Sequence, residues 1–272
     1  MKRLLEKLGL GVAVLFLVSP AIMVFLWMLS LSLKNELDNT AFPPVFIPAP
    51  PVWDNFISVF ENNNFLLYTW NSIVVSVTAT ALAIVIGVPA GYGIAKMQAN
   101  KAAMLILIAR ITPGLSYLIP LFLLFQWLGL TGTLVPIVIT HLVITVPIVV
   151  WVMIGFFEGL PGELEEAALV DGVTIWQAFR HVAFPLAMPG ITVATILSFI
   201  FSWNNFIFAM VLAGRETRTL PVAVNNMLTF EQISWGPLAA AALMVTLPVL
   251  LLTLAAQKQI IAGLTAGGVK GG

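Results

Sequence analysis

Long uncharged stretches of apolar residues dominate the hydrophobic pattern along this chain. No charged residue occurs between Leu8 and Leu33, and none occurs between Asn62 and Ala95. A helix needs about 20 predominantly apolar residues to cross the hydrocarbon core of a bilayer. The two stretches therefore predict two membrane-spanning helices, span 1 over residues 8–33 and span 2 over residues 73–95.

A third apolar tract, after Lys101, continues to Phe157 and is too long for one helix. Glycine and threonine at positions 128–133 predict a turn that divides it. The runs are unbroken rather than alternating with a period of two, which disfavours a β-barrel. The predicted fold class is all-α, a polytopic membrane protein with six transmembrane helices. The remaining segments are span 3 (103–127), span 4 (134–157), a polar loop (158–186), span 5 (187–213), span 6 (237–257) and a tail (258–272).

The composition excludes most soluble classes. Hydrophobic residues make up 60% of the 272 positions and charged residues 9%, whereas soluble domains have about 45–50% and about 25%. A cytosolic enzyme, a disordered chain and a coiled coil are therefore excluded, and the lipid bilayer is the expected solvent. The 12 basic and 12 acidic residues balance, so no nucleic acid partner is expected. The absence of cysteine excludes disulfides and Cys-ligated metals.

Basic residues near the spans predict the orientation, because they are enriched in cytoplasmic loops. With the N-terminus inside, the outer side holds only Lys34, Arg215 and Arg218. Both termini are then cytoplasmic, all 272 residues form one transmembrane domain, and residues 34–70 form a periplasmic loop. The inner basic residues are Lys2, Arg3, Lys7, Lys96, Lys101, Arg180, Lys258 and Lys270.

Two segments near the N-terminus have alternative interpretations. A cleaved signal peptide has an apolar core of about 7–15 residues, and the longer uncharged stretch of span 1 favours an anchored helix instead. In the following loop, Trp53, Phe56, Val59 and Phe60 have helical spacing. They indicate either a short helix at the membrane interface or a plain connector.

The chain contains no recognisable energy source. No Asp or Glu lies inside the six predicted spans, which argues against ion coupling. The glycine-rich tail differs from the phosphate-binding pattern G-x-x-x-x-G-K-[ST], because Lys270 comes one position late. No catalytic triad and no metal-ligand spacing is visible, so we expect neither a metal nor a cofactor. His141 is interpreted as a hydrogen-bonded interior residue.

The polar loop between spans 4 and 5 carries most of the local signals. Carboxylates begin a helix over about 163–170, and Gly172 ends it in the conformation that glycine tolerates best. Thr174 and Gln177 form a capping box that opens a second helix, and Pro185 and Pro189 are expected to break the chain before span 5. The loop is either a docking surface with an acidic edge or an ordinary amphipathic connector. Its acidic residues are Glu158, Glu163, Glu165, Glu166 and Asp171.

The same loop resembles a known motif. Glu166-Ala167-Ala168, then Gly172, then Val182-x-Phe184-Pro185 is similar to the EAA motif of bacterial ABC importer permeases, E-A-A-x3-G-x9-I-x-L-P, with apolar replacements at Val182 and Phe184. The tail 263–271 is similar to that of the maltose-type carbohydrate-uptake permeases. The chain resembles most the six-span partner of their two-subunit pore.

The resemblance implies a function and a set of partners. The chain would be the permease subunit of a binding-protein-dependent importer for a carbohydrate or a carbohydrate-like solute in the bacterial inner membrane. It would form half of the pore with a second permease, in a heterodimer. A periplasmic or lipid-anchored protein would deliver the solute, and two ATP-binding cassette subunits would bind ATP and Mg²⁺, with no cofactor on this chain. The implied ATPase-coupling residues are Glu166, Ala167, Ala168, Leu169, Asp171, Gly172 and Arg180.

Polar residues within the spans are candidates for the solute pathway. Amides beside aromatic rings in span 5 suit a sugar, although helix–helix hydrogen bonding is an alternative. Arg110, the one ionised residue inside a span, either faces the pore, where it would favour an anionic solute, or snorkels to the membrane surface. A self-contained channel or facilitator for small polar solutes is the competing hypothesis. The candidate pathway residues are Ser202, Trp203, Asn204, Asn205, Tyr117 and Arg110.

Overall fold

Every regular element in the described part of the chain is helical. The computed structural model describes residues 2–61, 64–228 and 233–268. A 3-10 turn, Gly114–Tyr117, and a π-helical turn, Phe179–Ala183, accompany the α-helices. The α-helices are α1 (Lys2–Ser32), α2 (Glu36–Asn39), α3 (Asp54–Glu61), α4 (Phe65–Lys96), α5 (Asn100–Ile111), α6 (Leu118–Trp127), α7 (Leu134–Glu158), α8 (Gly162–Val170), α9 (Ile175–Ala178), α10 (Phe184–Leu186), α11 (Met188–Trp203), α12 (Ile207–Leu212), α13 (Leu220–Asn225) and α14 (Trp235–Gly268).

The helices confirm the prediction of an all-α, multi-pass membrane protein. Four of them are long and apolar enough to cross a bilayer: Gly9–Ser32 within α1, α4, α7, and Trp235–Gln257 within α14. Two further segments reach that length only as bent pairs, one of α5 and Gly114–Trp127 and one of Ile175–Leu186 and α11. The described residues therefore contain four candidate spans, or up to six if each bent pair crosses once.

The segment predicted as span 3, residues 103–127, is sharply bent. The two halves of this segment meet at 87°. Pro113 causes the break, because it has no N–H to donate and its ring forces the preceding residue out of the helical region. Thr112 accordingly has an extended ψ of 124°. Pro120 has no such effect, since it lies in the first turn of α6, where backbone N–H groups have no partner within the helix.

The segment predicted as span 5, residues 187–213, is interrupted as well. Its helix ends at Trp203 and resumes as α12 at Ile207. Both asparagines between these helices bond to nearby backbone, which competes with helix formation. Asn204 Nδ2 donates to the Ile200 carbonyl at 3.0 Å, and Asn205 Oδ1 accepts from the Phe208 N–H at 3.4 Å.

The expected break before span 5 takes a different form. Helical backbone continues through Pro185, which lies at the start of α10. The chain then turns by 75° between Leu186 and Met188. The bend therefore falls between Pro185 and Pro189 rather than at either proline.

The last helix extends beyond span 6. The glycine-rich composition after Gly263 predicts a flexible tail, but α14 continues to Gly268. Residues 269–272, which include the Lys270 used for orientation, lie outside the described part of the chain. The helix of span 2 begins earlier than the predicted residue 73, because α4 starts at Phe65.

Contacts divide the chain into two compact units. One comprises residues 1–66 and 223–248, and the other comprises residues 67–222 and 249–272. In the first unit, the loop after α1 is fixed by a buried lysine, Lys34, whose Nζ donates to the Val45 carbonyl at 2.7 Å. Asn55 Nδ2 donates to the carbonyls of Ser32 and Lys34 at 3.0 and 2.8 Å. The aromatic-rich segment after this loop forms α3, as the spacing predicts.

In the second unit, α4, α7 and α11 pack closely. A Cβ placed on Gly87 would lie 2.6 Å from Val149 Cγ1, and one on Gly91 would lie 2.7 Å from Met153 Cβ. The G-x-x-x-G segment therefore brings the backbone of α4 against α7, which is a packing role. The core around this contact continues to the polar loop, through Phe157 and Phe179.

Candidate functional site

The polar loop forms the two predicted helices, α8 and α9. Gly172 follows α8 with a φ of +86°, a value that side chains with a Cβ rarely adopt. Thr174 then opens α9, and both hydrogen bonds of its capping box are present: the Gln177 N–H donates to Thr174 Oγ1 at 3.3 Å, and the Thr174 N–H donates to Gln177 Oε1 at 2.8 Å. The local sequence signals of the loop are confirmed.

Most residues of the EAA-like motif face outward. Ala168 is half-buried, and the other six are exposed. Val170, Ile175 and Trp176, three large apolar residues nearby, are also exposed. The loop therefore presents a mixed acidic and apolar surface that the described part of the chain leaves uncovered. The exposed motif residues are Glu166, Ala167, Leu169, Asp171, Gly172 and Arg180.

Phe179 anchors the loop to the helix bundle. Its ring is buried, with its centroid 4.8 Å from that of Tyr92 on α4 and 6.3 Å from that of Phe157 on α7. The Trp176 ring packs on its outer side at 5.1 Å. Burial of a phenylalanine side chain contributes about 1.5–3 kcal/mol, so this ring fixes the exposed surface to the ends of α4 and α7.

Glu165 makes the polar connection between the loop and the bundle. Its carboxylate Oε2 accepts a hydrogen bond from the Tyr92 hydroxyl at 2.9 Å and lies 3.0 Å from Lys96 Nζ. The sequence predicts Glu165 on the acidic outer edge of the loop with Glu163 and Glu166, but its side chain is buried against α4 instead. Tyr92 and Lys96 are four residues apart on α4, but nothing in the sequence indicates that α8 lies against them.

The pathway candidates of span 5 are in different environments. Ser202 and Trp203 are buried, Asn205 is half-buried and Asn204 is exposed. The Ser202 hydroxyl and His141 Nδ1 are hydrogen-bonded at 2.8 Å, which supports the interior role predicted for His141. This bond joins α11 to α7 and fits the helix–helix alternative for Ser202.

The structure brings Tyr117 close to α12. The Tyr117 ring stacks on the Phe208 ring with centroids 5.9 Å apart, and Asn205 contacts the backbone N–H of the same Phe208. Tyr117 and Asn205 are 88 positions apart in the sequence, and both contact Phe208. Arg110 has an exposed side chain in the last turn of α5, next to the break at Thr112.

A buried polar layer surrounds the His141–Ser202 pair. It lies on α4, α7 and α11, and the Ser198 hydroxyl donates to Thr80 Oγ1 at 3.5 Å. Thr140 and Thr145 instead bond to carbonyls of their own helix. Hydroxyls satisfied in this way are compatible with a membrane interior. The buried polar residues of this layer are Thr80, Thr140, His141, Thr145, Ser198 and Ser202.

Comparison with known proteins assigns the family. Residues 83–262 match the family described as "Binding-protein-dependent transport system inner membrane component". The trehalose transport system permease protein SugB of Mycobacterium tuberculosis is 35% identical, over 93% of this chain and 94% of its own. The maltose/maltodextrin transport system permease protein MalG of Salmonella typhimurium is 34% identical, over 90% and 80%.

A solved structure supports the fold. One chain in a crystal structure of a bacterial ABC transporter involved in import of the acidic polysaccharide alginate superposes with a TM-score of 0.75 at 22% identity, covering 94% of this chain and 95% of that one. The helical architecture described above is thus that of an ABC transporter membrane subunit. The chain belongs to the family of binding-protein-dependent transport inner membrane components, as a permease subunit of its maltose-type carbohydrate-uptake branch.

Proposed function

We propose that this chain forms half of a pore through which a sugar, polyol or sugar derivative enters a bacterial cell, driven by ATP hydrolysis in a separate subunit. The relatives named for trehalose and for maltose support the solute class. The solute is handed over by a periplasmic or lipid-anchored binding protein. A second, non-identical permease supplies the other half of the pore. The chain resides in the bacterial inner membrane.

The observation that carries the proposal is the exposed surface on α8 and α9. Large apolar side chains such as Ile175 and Trp176 stand in solvent beside small and acidic residues. Exposed apolar groups in a contiguous patch mark interaction sites. Ala167 lets another surface approach closely, and the carboxylates of Glu166 and Asp171 suit a basic cleft. The proposed occupant is the ATPase subunit, which binds ATP and Mg²⁺ itself.

The proposed topology has six crossings with both termini in the cytoplasm: the four long helices, the bent pair of α5 and α6, and a span 5 that begins at α11, so that α8 and α9 stay outside the membrane. An even number of crossings leaves the termini on one side, where the basic residues are concentrated. The contact between Lys96 and Glu165 supports this arrangement, because it requires the end of α4 and the loop to lie at the same membrane face. The ATPase surface then lies in the cytoplasm.

The proposed solute pathway includes the ends of α11 and α12. Asn204 and Asn205 carry amides that can bond sugar hydroxyls, and the rings of Tyr117 and Trp203 can pack on their C–H faces. Ser202 and Arg110 complete the set as weaker candidates, because Ser202 is already hydrogen-bonded and Arg110 lies at the end of α5.

Co-expression with the cognate subunits tests the docking proposal. An aspartate in place of Ala167 adds bulk and a charge where close approach is required, so Ala167→Asp should still insert but should fail to co-purify with the ATPase. Ala49→Asp, at an exposed alanine in the loop after α1, is the matched control and should bind normally. Equal recovery of ATPase with both variants would refute docking at α8.

A further inference from the structure

The carboxylate of Glu165 points into this chain, although its neighbours face solvent. Glu163 and Glu166 are exposed, whereas the Glu165 side chain retains only 11% of its accessible surface. A carboxylate is seldom buried without charged or hydrogen-bonding partners. Glu165 has two such partners, and both belong to the cytoplasmic end of α4.

Those partners form a clasp on one face of α4. Tyr92 and Lys96 are separated by four residues, so their side chains leave the helix on the same side. The Tyr92 ring is itself held edge-on by Phe157, with centroids 5.2 Å apart. Lys96 lies in the last turn of α4, where the helix dipole favours a cation. The Tyr92 hydroxyl and the Lys96 ammonium can thus both donate to the same carboxylate oxygen of Glu165.

This clasp is the direct attachment of α8 itself to α4, beside the anchor that Phe179 provides after α9. Glu165 is the one buried residue of α8, whose nine residues are all described. A helix usually docks through an apolar stripe, but here Leu164 and Leu169 are exposed. A force applied to the outer face of α8 therefore has a direct route to α4 through the Glu165 carboxylate.

We infer that Glu165 is a positioning residue that transmits movement of α8 to α4 through Lys96 and Tyr92. The inference rests on the proposed function, because it requires an ATPase that moves α8. Loss of the clasp leaves Glu166, Ala167 and Gly172 available for docking. Movement of α8 is then transmitted to α4 less completely. The complex then hydrolyses ATP with less solute transported for each ATP.

The test uses the purified complex of both permeases and the ATPase in vesicles, with binding protein supplied. Glu165→Gln and Lys96→Gln each remove the ion pair and keep similar side-chain volume. Each should lower solute transported per ATP by about tenfold, within the range of coupling measured for contacting residues. The double variant should lose about tenfold as well, rather than about a hundredfold, because the two residues act as a pair.

Several readouts separate this role from others. A purely structural pair would lower the yield of assembled complex while leaving transport per ATP unchanged, and that result would overturn the inference. A loss in the double variant equal to the product of the two single losses would overturn the inference as well. Lys101→Gln, which removes an exposed cation near the start of α5, is the control matched to Lys96→Gln and should transport normally. If Glu165→Gln fails to assemble, Lys96→Gln and Tyr92→Phe carry the same test. Failure of the unaltered chain to bind the ATPase would instead refute the proposed function.

Discussion

Replacement of Gly91 by alanine tests whether α4 and α7 touch as closely as the structure shows. The new Cβ would lie 2.7 Å from Met153 Cβ and 3.2 Å from the Val150 carbonyl oxygen. Carbon atoms attract best at about 3.5–4.0 Å, so the helices must separate by about 1 Å. Neither obstructing atom is the end of a flexible side chain that could move aside.

The expected cost follows from that displacement. Adding one methyl to a close-packed contact destabilises by about 1–3 kcal/mol. Alanine also stabilises a helix interior by about 0.5–1 kcal/mol relative to glycine. This gain offsets part of the steric cost. Gly93→Ala receives the same gain at a position with nothing within 4 Å of the added Cβ. The difference between Gly91→Ala and Gly93→Ala therefore isolates the steric contribution.

The free energy of unfolding can be measured in mixed micelles by titration with a denaturing detergent. Gly91→Ala should unfold more easily than Gly93→Ala by about 1–3 kcal/mol. Gly93→Ala itself should be as stable as the unaltered chain or slightly more stable. Equal stability of the two variants would show that α4 and α7 are not in backbone contact at Gly91.

Three further substitutions address the loop and the span interiors. In Gly172→Ala, residue 172 must adopt a left-handed conformation that costs about 1–2 kcal/mol, so solute uptake should fall. Gly172→Asn should be tolerated better, because asparagine adopts this conformation more readily. Normal uptake with alanine would contradict the turn at Gly172. Ser202→Ala leaves His141 Nδ1 without its bond and should destabilise by about 1–3 kcal/mol, whereas exposed Ser116→Ala should not; equal detergent-unfolding midpoints would argue against the buried pair. Arg110→Gln should reduce uptake of anionic relative to neutral solutes, and an unchanged preference would remove Arg110 from the pathway.

The sequence predicts those elements whose causes are local. Continuous apolar runs predict α1, α4, α7 and most of α14, since the length needed to cross a bilayer is read directly from the chain. The capping box at Thr174 depends on residues three apart, and it too is present.

Breaks within spans are harder to predict, because proline alone does not decide them. Pro89, Pro147 and Pro248 lie inside continuous helices, whereas Pro113 ends one. The residue type is the same at all four positions, so proline by itself does not tell which helices will end. The asparagines at 204–205 were assigned to the solute pathway, although they also interrupt the helix of span 5.

The contact between Glu165 and α4 is the clearest feature beyond sequence reasoning. Lys96 and Glu165 are 69 positions apart, and both lie in segments with other charged residues nearby. The packing of Phe179 against Tyr92 helps to bring α8 to the end of α4, and that packing is not visible in the sequence. The motif identifies the outward surface of the loop, and the fold identifies how that surface is attached.

The proposed function requires that this permease moves solute only under the control of a separate ATPase. Reconstitution of the chain in vesicles, first alone and then with its partner permease, ATPase and binding protein, measures whether it does. We expect no solute flux from the chain alone and ATP-dependent uptake from the full set. Rapid flux through the isolated chain that is indifferent to ATP would contradict the account.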